Sequence, residues 1–451
     1  MVKRRPILAL LLALALPGMP SAPVSAAKPA AAPALNALDL ISLEIVYTTL
    51  LARYYKPIAP GRLLAGARNG LVAYLYSRGI TDPKIPLAAP NADRFNAENA
   101  IDRDVALAVT RYGAHIRVDD LLASTITGEL AVLNDPYTVL FRPAAYKQFV
   151  GFLDGTSRGG IGAELDVGPE THFARIVDVF PDTPAARAGL RAGDTIMAID
   201  DHLISSRPPD AVRVALSGAP GSSVRVDILR DGAMLPQITL VRQPIVPPDV
   251  TERTFPNRVA YIRIRTFGAQ AAAQFDAAFA RAQADKAIAY VFDLRADGGG
   301  YRDAAVAIAS HFVSGTIVTT AERGAAPQTF SSNPHTPRLL APYALLVDGD
   351  TASASEIVAG AVQDAKAAPL IGTRTFGKGL VQEVFPMPGG SAIKVTTASY
   401  RTPAGRDIEG GGITPDIVIP AAADVHFGEP GHDPALDNAI QQFATALPSR
   451  P

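Results

Sequence analysis

The residues best placed to do chemistry lie 25 positions apart: Ser353, in Leu346-Val347-Asp348-Gly349-Asp350-Thr351-Ala352-Ser353-Ala354-Ser355-Glu356-Ile357, and Lys378, in Thr375-Phe376-Gly377-Lys378-Gly379-Leu380-Val381-Gln382. An apolar strand turning sharply into a helix presents Ser353 at the carboxyl end of a parallel sheet, where open α/β sheets take their ligands, with the first free helix amides beside it. A lysine serves as general base for a serine hydroxyl only when its pKa is lowered, and Phe376, Leu380 and Val381 supply apolar surroundings of the kind that lower it. If the segment is extended, Gln382 shares a face with Lys378 and its amide oxygen can orient the amine. Plainer explanations exist for each feature alone. Ser353 with Glu356 is a capping box, and a lysine between two glycines is an ordinary loop lysine. The co-occurrence of the two runs is what points to catalysis.

Other chemistries fit less well. Gly372 to Lys378 matches the first seven positions of a phosphate-binding P-loop, but the eighth is Gly379, which lacks the magnesium-ligating hydroxyl. There is no G-x-S-x-G elbow and no H-E-x-x-H pair. The seven histidines, His115, His172, His202, His311, His335, His426 and His432, are scattered along the chain, which argues against a Ser/His/Asp triad. The absence of cysteine excludes disulfides, thiolate metal sites and a cysteine nucleophile. No metal site and no cofactor are expected.

These residues need elements to hold them. With 451 residues, 48% hydrophobic and 19% charged, the chain has a globular composition and room for two to four domains. Residues 1–26 have the form of a signal peptide: Lys3, Arg4 and Arg5, an apolar stretch from Ile7 to Leu16, and small residues ending at Ala26. Export to the periplasm or the extracellular space, with cleavage after Ala26, is expected. Cleavage removes three cations and no acids, moving the formal charge from -1 to -4, so nucleic acid is not an expected partner. Residues 27–36 read as an Ala/Pro linker, and 37–150 as a helical region in which Leu43, Val46, Tyr47 and Leu50 keep helical spacing. Residues 155–243 carry short strands and glycine turns. Residues 244–420 alternate strands and helices, which implies a layered α/β domain with a largely parallel sheet. A tail spans 421–451, with a last helix from Ala435 to Leu447.

The Thr-Ala-Ser-Ala-Ser-Glu-Ile and Thr-Phe-Gly-Lys-Gly-x-x-Gln runs resemble those of C-terminal processing, or tail-specific, serine proteases. The resemblance extends to Tyr261-Ile262-Arg263-Ile264, Asp293-Leu294-Arg295, Ile408-Glu409-Gly410-Gly411-Gly412-Ile413-Thr414-Pro415-Asp416 and Asn134-Asp135-Pro136-Tyr137-Thr138. It implies a multidomain α+β and α/β fold: an N-terminal helical region, a PDZ domain and a crotonase/ClpP-like α/β protease core. It also makes Ser353 the nucleophile, Lys378 the base and Gln382 its orienting residue, with the backbone amides of Gly299 and Ala354 as oxyanion donors. Asp364 stands where some members implicate an aspartate, but about 16 Å of helix separates it from Ser353, so a supporting role in the fold is expected.

Residues 155–243 resemble a PDZ module, with Gly159, Gly160, Ile161 and Gly162 as its carboxylate loop and Pro184-Ala185-Ala186-Arg187-Ala188-Gly189-Leu190 as its middle. Substrates with exposed C-termini are the implied partners, captured by loop amides while the peptide extends a sheet edge. An adaptor or activator protein and a homo-oligomer are left open. Two departures from the family pattern stand out. Asp297-Gly298-Gly299-Gly300 replaces the usual Asn-Pro-Gly-Gly, and Ser77 to Asp120 has the look of an insertion between helices the family keeps close. The competing readings are a PDZ-containing binding protein with an inactive protease-like domain, and a hydratase or thioesterase on a crotonase-like fold.

Overall fold

A computed structural model of the chain describes residues 35–86, 93–155, 158–166, 174–204, 209–420 and 425–446. The expected signal peptide, residues 1–26, and all but the last two residues of the expected linker lie outside them.

Four helices come first: Ala37–Arg53, Pro60–Ser77, Arg94–Tyr112 and Val118–Ala131. Asn36 starts the first of these, accepting from the Leu38 and Asp39 N–H groups while Asp39 accepts from its own N–H. The stripe Leu43, Val46, Tyr47 and Leu50 is buried, as its spacing predicts. The second and fourth helices meet nearly backbone to backbone, since a Cβ on Gly70 would stand 2.0 Å from Ser124 O. The Ser77-to-Asp120 stretch supplies Arg94–Tyr112, which packs on the second helix and is tied to it by the buried Arg68–Asp104 ion pair. This core runs on into Met387, Ile393 and Val395, so the helical region is seated on the domain of residues 244–420.

In the β-rich module a sheet runs in the order Ala163–Asp166, Ala174–Val179, Thr195–Ile199, Ser223–Arg230, Ala233–Met234. Val224, Val226 and Ile228 alternate inward along the fourth strand, the pattern of a half-buried strand. Ala163–Asp166 lies at the sheet edge, and Arg158–Gly160 pairs separately with Gln243–Ile245.

In the third region, a six-stranded sheet runs in the order Val250–Thr254, Val259–Ile264, Ala289–Asp293, Tyr343–Val347, Leu370–Gly372, Ile417–Val418. Only the first pair is antiparallel. The middle strands are buried at every position, as strands covered on both faces must be. Tyr290 and Phe292 face the helices Ala271–Ala284, Arg302–Ala309 and Ala354–Asp364, whereas Ala289 and Val291 face the helix Pro434–Ala446.

One strand departs from the expected parallel sheet. Thr316–Glu322 belongs to a second, antiparallel sheet with Val139–Phe141, Gln328–Ser331, Leu380–Pro386 and Ala392–Arg401. The cause is local: a turn at Gly324, φ 76°, returns the chain as a hairpin instead of a crossover helix.

Candidate active site

Ala289–Asp293, Tyr343–Val347 and Leu370–Gly372 are parallel neighbours, so their carboxyl ends share one edge. The loops leaving them, 294–301, 348–353 and 373–379, therefore meet, and Gly299, Ser353 and Lys378 come together although they are far apart in sequence.

Ser353 has φ 58° and ψ -113°. A serine held in such a region costs on the order of 1–3 kcal/mol, so the surroundings must enforce it. Much of that enforcement comes from Glu356, a fully buried carboxylate. Its Oε2 accepts the N–H groups of Ser353 and Lys378, each at 2.9 Å, while Oε1 accepts Thr375 Oγ1 at 2.6 Å and Gly377 N–H at 2.8 Å. The helix-cap contact expected from Ser353 and Glu356 is therefore one of four, and the other three fasten the lysine loop to the serine turn. Tyr400 adds a second tie, its hydroxyl lying 3.0 Å from Ser353 O and 2.7 Å from Lys378 O. Burial pushes the Tyr400 pKa well up, which keeps that hydroxyl a donor.

Gly299, at φ 96°, cannot be another residue. A Cβ there would stand 2.7 Å from Ala352 O, 2.8 Å from Ala354 N and 2.9 Å from Ser353 Cβ. Gly299 and Ala354 thus both flank the serine. The Gly299 N–H, however, donates to Asp297 Oδ1 at 2.8 Å and is not presented to the cleft. Asp297 is fully buried, its other oxygen has no hydrogen-bond partner among the described residues, and burial pushes its pKa well above the usual carboxylate range. The departure from Asn-Pro-Gly-Gly therefore places a titratable acid on a candidate oxyanion donor.

Burial, with the Lys394 ammonium as second cause, pulls the Lys378 pKa down to about 8. Leu380 is buried beside it, but Phe376 is 52% exposed, which corrects the expectation that Phe376 helps enclose the lysine. The Lys378 ammonium lies 5.1 Å from the centre of the Tyr137 ring, and no hydrogen bond joins it to Ser353 among the described residues. Gln382 lines the same cleft but turns its amide to Leu380 O at 3.1 Å. Strand alternation does not carry from Lys378 to Gln382, because the pairing register shifts between Val381 and Gln382. The expected Gln382–Lys378 contact is not made in this conformation.

The cleft holding Ser353, Lys378, Gln382 and Gly299 has a volume of about 1190 Å³ and is walled by Phe149 and Lys394, ample for an extended peptide. Asp364 lies outside it. Its carboxylate accepts from Ala404 N–H at 2.7 Å and pairs with Arg406, work that serves the fold. Among the described residues one group of His and Glu side chains is close enough to hold a metal, His426, Glu429 and His432, and it too is outside the cleft.

Gly159 to Gly162 line a separate groove of about 200 Å³ with Leu165, Phe180 and Leu216. Ile161 buries its side chain, so it offers the groove only backbone. The Ile161 and Gly162 N–H groups donate to nothing among the described residues, and the neighbouring strand Ala163–Asp166 has an open edge.

Fold and cleft together define a serine-type peptidase joined to a PDZ domain. Residues 258–419 match peptidase family S41 and residues 175–230 match the PDZ domain. The chain is 37% identical over 301 residues to the carboxyl-terminal-processing protease of Synechocystis sp., covering 64% of this chain and 69% of that one. It is 32% identical over 372 residues to the carboxy-terminal processing protease CtpB of Bacillus subtilis, covering 80% and 76%. A solved Bacteroides fragilis structure described as an S41 protease shares the fold with a TM-score of 0.55 at 18% identity, over 72% of this chain and 90% of that one. The chain belongs to peptidase family S41, among the carboxyl-terminal processing proteases.

Proposed function

We propose that the chain is an exported endopeptidase that captures protein C-termini in the groove beside Gly159–Gly162 and cleaves with Ser353 as nucleophile and Lys378 as general base. The observation that carries this reading is the convergence of Ser353 and Lys378 on one cleft, tied through Glu356, with the lysine pKa drawn down to about 8. An amine of that pKa is about one-tenth neutral at pH 7 and half neutral near pH 8, a far larger share than an unperturbed lysine offers. It takes the Ser353 Oγ proton as Oγ bonds to the scissile carbonyl carbon, and the Ala354 N–H at the helix start faces the oxyanion that forms. The ammonium then passes its proton to the departing amine, the C–N bond breaks, and Ser353 is left acylated. Water, deprotonated by Lys378, releases the acyl group.

Two local movements complete this geometry. Lys378 turns from the Tyr137 ring towards Ser353, where Gln382 can orient it, and the Gly299 N–H leaves Asp297 to join Ala354. The edge of Ala163–Asp166 and the Ile161 and Gly162 amides, all unengaged among the described residues, support capture of a terminal carboxylate by an added strand. The Lys3-to-Ala26 pattern supports export. The test is incubation of the chain and its Ser353→Ala version with unstructured proteins, followed by fragment mapping. Equal cutting by both would refute the assignment.

A further inference from the structure

The sequence His426-Phe427-Gly428-Glu429-Pro430-Gly431-His432 sets two imidazoles and a carboxylate at three-residue intervals in a Gly/Pro loop. The fold brings them together, with one donor atom of each within 4.8 Å of the others. The loop closes on itself through backbone hydrogen bonds from Glu429 to His426, His432 to Glu429 and His426 to His432, each 3.0 Å. It is anchored by the next residue, Asp433, fully buried, which accepts from Arg295 at 2.7 and 2.6 Å and from Gly428 N–H at 2.8 Å. The backbone positions of all three residues are thus fixed by the chain itself, which reduces the ordering that an incoming ion must bring about.

The internal spacing suits a small tetrahedral ion. His426 Nδ1 is buried and faces Glu429 Oε2 at 3.2 Å, and no hydrogen bond of good geometry holds it among the described residues. Two ligands each about 2.0–2.1 Å from a tetrahedral zinc ion stand about 3.3 Å apart. The His432 ring is 5.3 Å from that of His426, centre to centre, and is exposed, so it is free to turn in as a third ligand.

At present a guanidinium occupies the outer side of this group. Arg175, on the strand Ala174–Val179, places NH1 2.6 Å from His426 Nε2 and NH2 2.7 Å from Glu429 Oε2. A dication and this guanidinium exclude each other. They compete for the same carboxylate, and an imidazole that ligates through Nδ1 carries its proton on Nε2, where it would meet the Arg175 N–H head-on.

We propose that His426, Glu429 and His432 bind one divalent cation of the zinc class, taken up in exchange for Arg175 of the PDZ sheet. Two imidazoles with a single carboxylate favour zinc, cobalt, nickel or copper over calcium and magnesium, which take sets of oxygens. Because Arg175 joins the PDZ sheet to the tail loop, uptake of the ion releases that contact, and the seating of the PDZ domain becomes responsive to metal. This site is independent of the Ser353 cleft.

The test uses the full chain, stripped with a chelator and titrated with Zn²⁺ against a chromophoric competitor, with Co²⁺ visible absorption reporting coordination number. One equivalent of Zn²⁺ and a four-coordinate Co²⁺ spectrum are expected, with no comparable uptake of Ca²⁺. Glu429→Gln and His432→Ala should weaken binding at least ~10-fold, and Arg175→Gln should tighten it, within the ~10–100-fold range by which groups touching the ligands change metal affinity. His432 is exposed, so its variant leaves packing intact and reads the site even where His426→Ala disturbs the loop. No uptake by the parent chain, parent-like binding by His432→Ala and Glu429→Gln, or equal affinity for Ca²⁺ would overturn the site. Unchanged affinity in Arg175→Gln would overturn the exchange.

Discussion

The backbone amides of Ser353 and Lys378 donate to the same oxygen, Oε2 of Glu356, each at 2.9 Å. This common acceptor couples the serine turn to the lysine loop more directly than either side chain does. A rotation of one loop must break a buried hydrogen bond that also positions the other.

The first prediction is therefore that Glu356→Gln damages both stability and turnover. A glutamine places an NH₂ group where one carboxylate oxygen now faces two donors, leaving N–H groups buried and unpaired. The cost should be on the order of 2 kcal/mol or more. Denaturant unfolding and peptide turnover measure it, and a variant as stable and active as the parent would remove Glu356 from this role.

Ser353→Ala and Lys378→Ala should each abolish cleavage while the fold persists, since a nucleophile and its base act as one unit. Lys378→Arg should be equally inactive, because a guanidinium does not give up its proton at working pH. Near-normal turnover by a folded Lys378→Ala variant would end the dyad assignment.

The dependence on pH follows from the lysine. With its pKa drawn down to about 8, activity should rise as pH passes through that value, the neutral amine being the active form. The Lys394 ammonium opposes a second positive charge nearby and so helps to hold that pKa down. Lys394→Met should therefore raise the Lys378 pKa and move the rising limb to higher pH. A limb that stays in place, measured on a folded variant, would rule out this coupling, and a profile peaking near about pH 5 would count against any lysine base.

Asp297 yields a prediction about stability. Its folded-state pKa is raised by burial, so the fold binds its proton more tightly than the unfolded chain does. That contribution is complete below the unfolded value of about 4 and is lost as pH rises towards the folded one. Asparagine does not titrate and still offers an oxygen to Gly299 N–H. Asp297→Asn should thus gain in Tm relative to the parent as pH is raised from about 4 to about 8. A Tm difference that stays constant across that range would mean Asp297 does not titrate in this way.

Parts of this architecture are legible in the sequence and parts are not, for identifiable reasons. The serine turn can be read because an apolar strand, a glycine turn and a helix start follow in order, and the lysine loop because glycines bracket Lys378. Glu356 looks like a helix cap from its local neighbours. Its bonds to Thr375 and Gly377 exist only because Tyr343–Val347 and Leu370–Gly372 are adjacent in the sheet. Ala392–Arg401 escapes notice because it is buried on both faces and shows no alternation. The replacement of asparagine by Asp297 is visible only against the family pattern that the sequence resembles, and its hold on the Gly299 N–H is not visible even there. His426 and His432 sit in a loop without helical or strand period, so nothing in their spacing announces that the chain turns them towards each other.

The last prediction concerns how substrates are chosen. The groove between the edge strand Ala163–Asp166 and Leu216 ends at Ile161 and Gly162, whose amides are unengaged among the described residues. An incoming strand can pair with the open edge, place its last apolar side chain against Leu165, Phe180 and Leu216, and set its carboxylate on those amides. That arrangement needs a free, flexible, apolar C-terminus. Amidating the carboxylate removes the charge that the amides receive, and adding Asp-Asp places a charged side chain in an apolar pocket. Either change should raise the substrate concentration needed for cleavage, with a smaller effect on the maximal rate. The measurement is competition between matched substrates with free, amidated and Asp-Asp ends, repeated with Leu216→Lys, which inserts a cation into the pocket wall and should narrow the difference between apolar and acidic tails. If the intact enzyme cleaves free and amidated substrates equally well, the groove does not read the C-terminus, and the Ser353 and Lys378 chemistry stands without it.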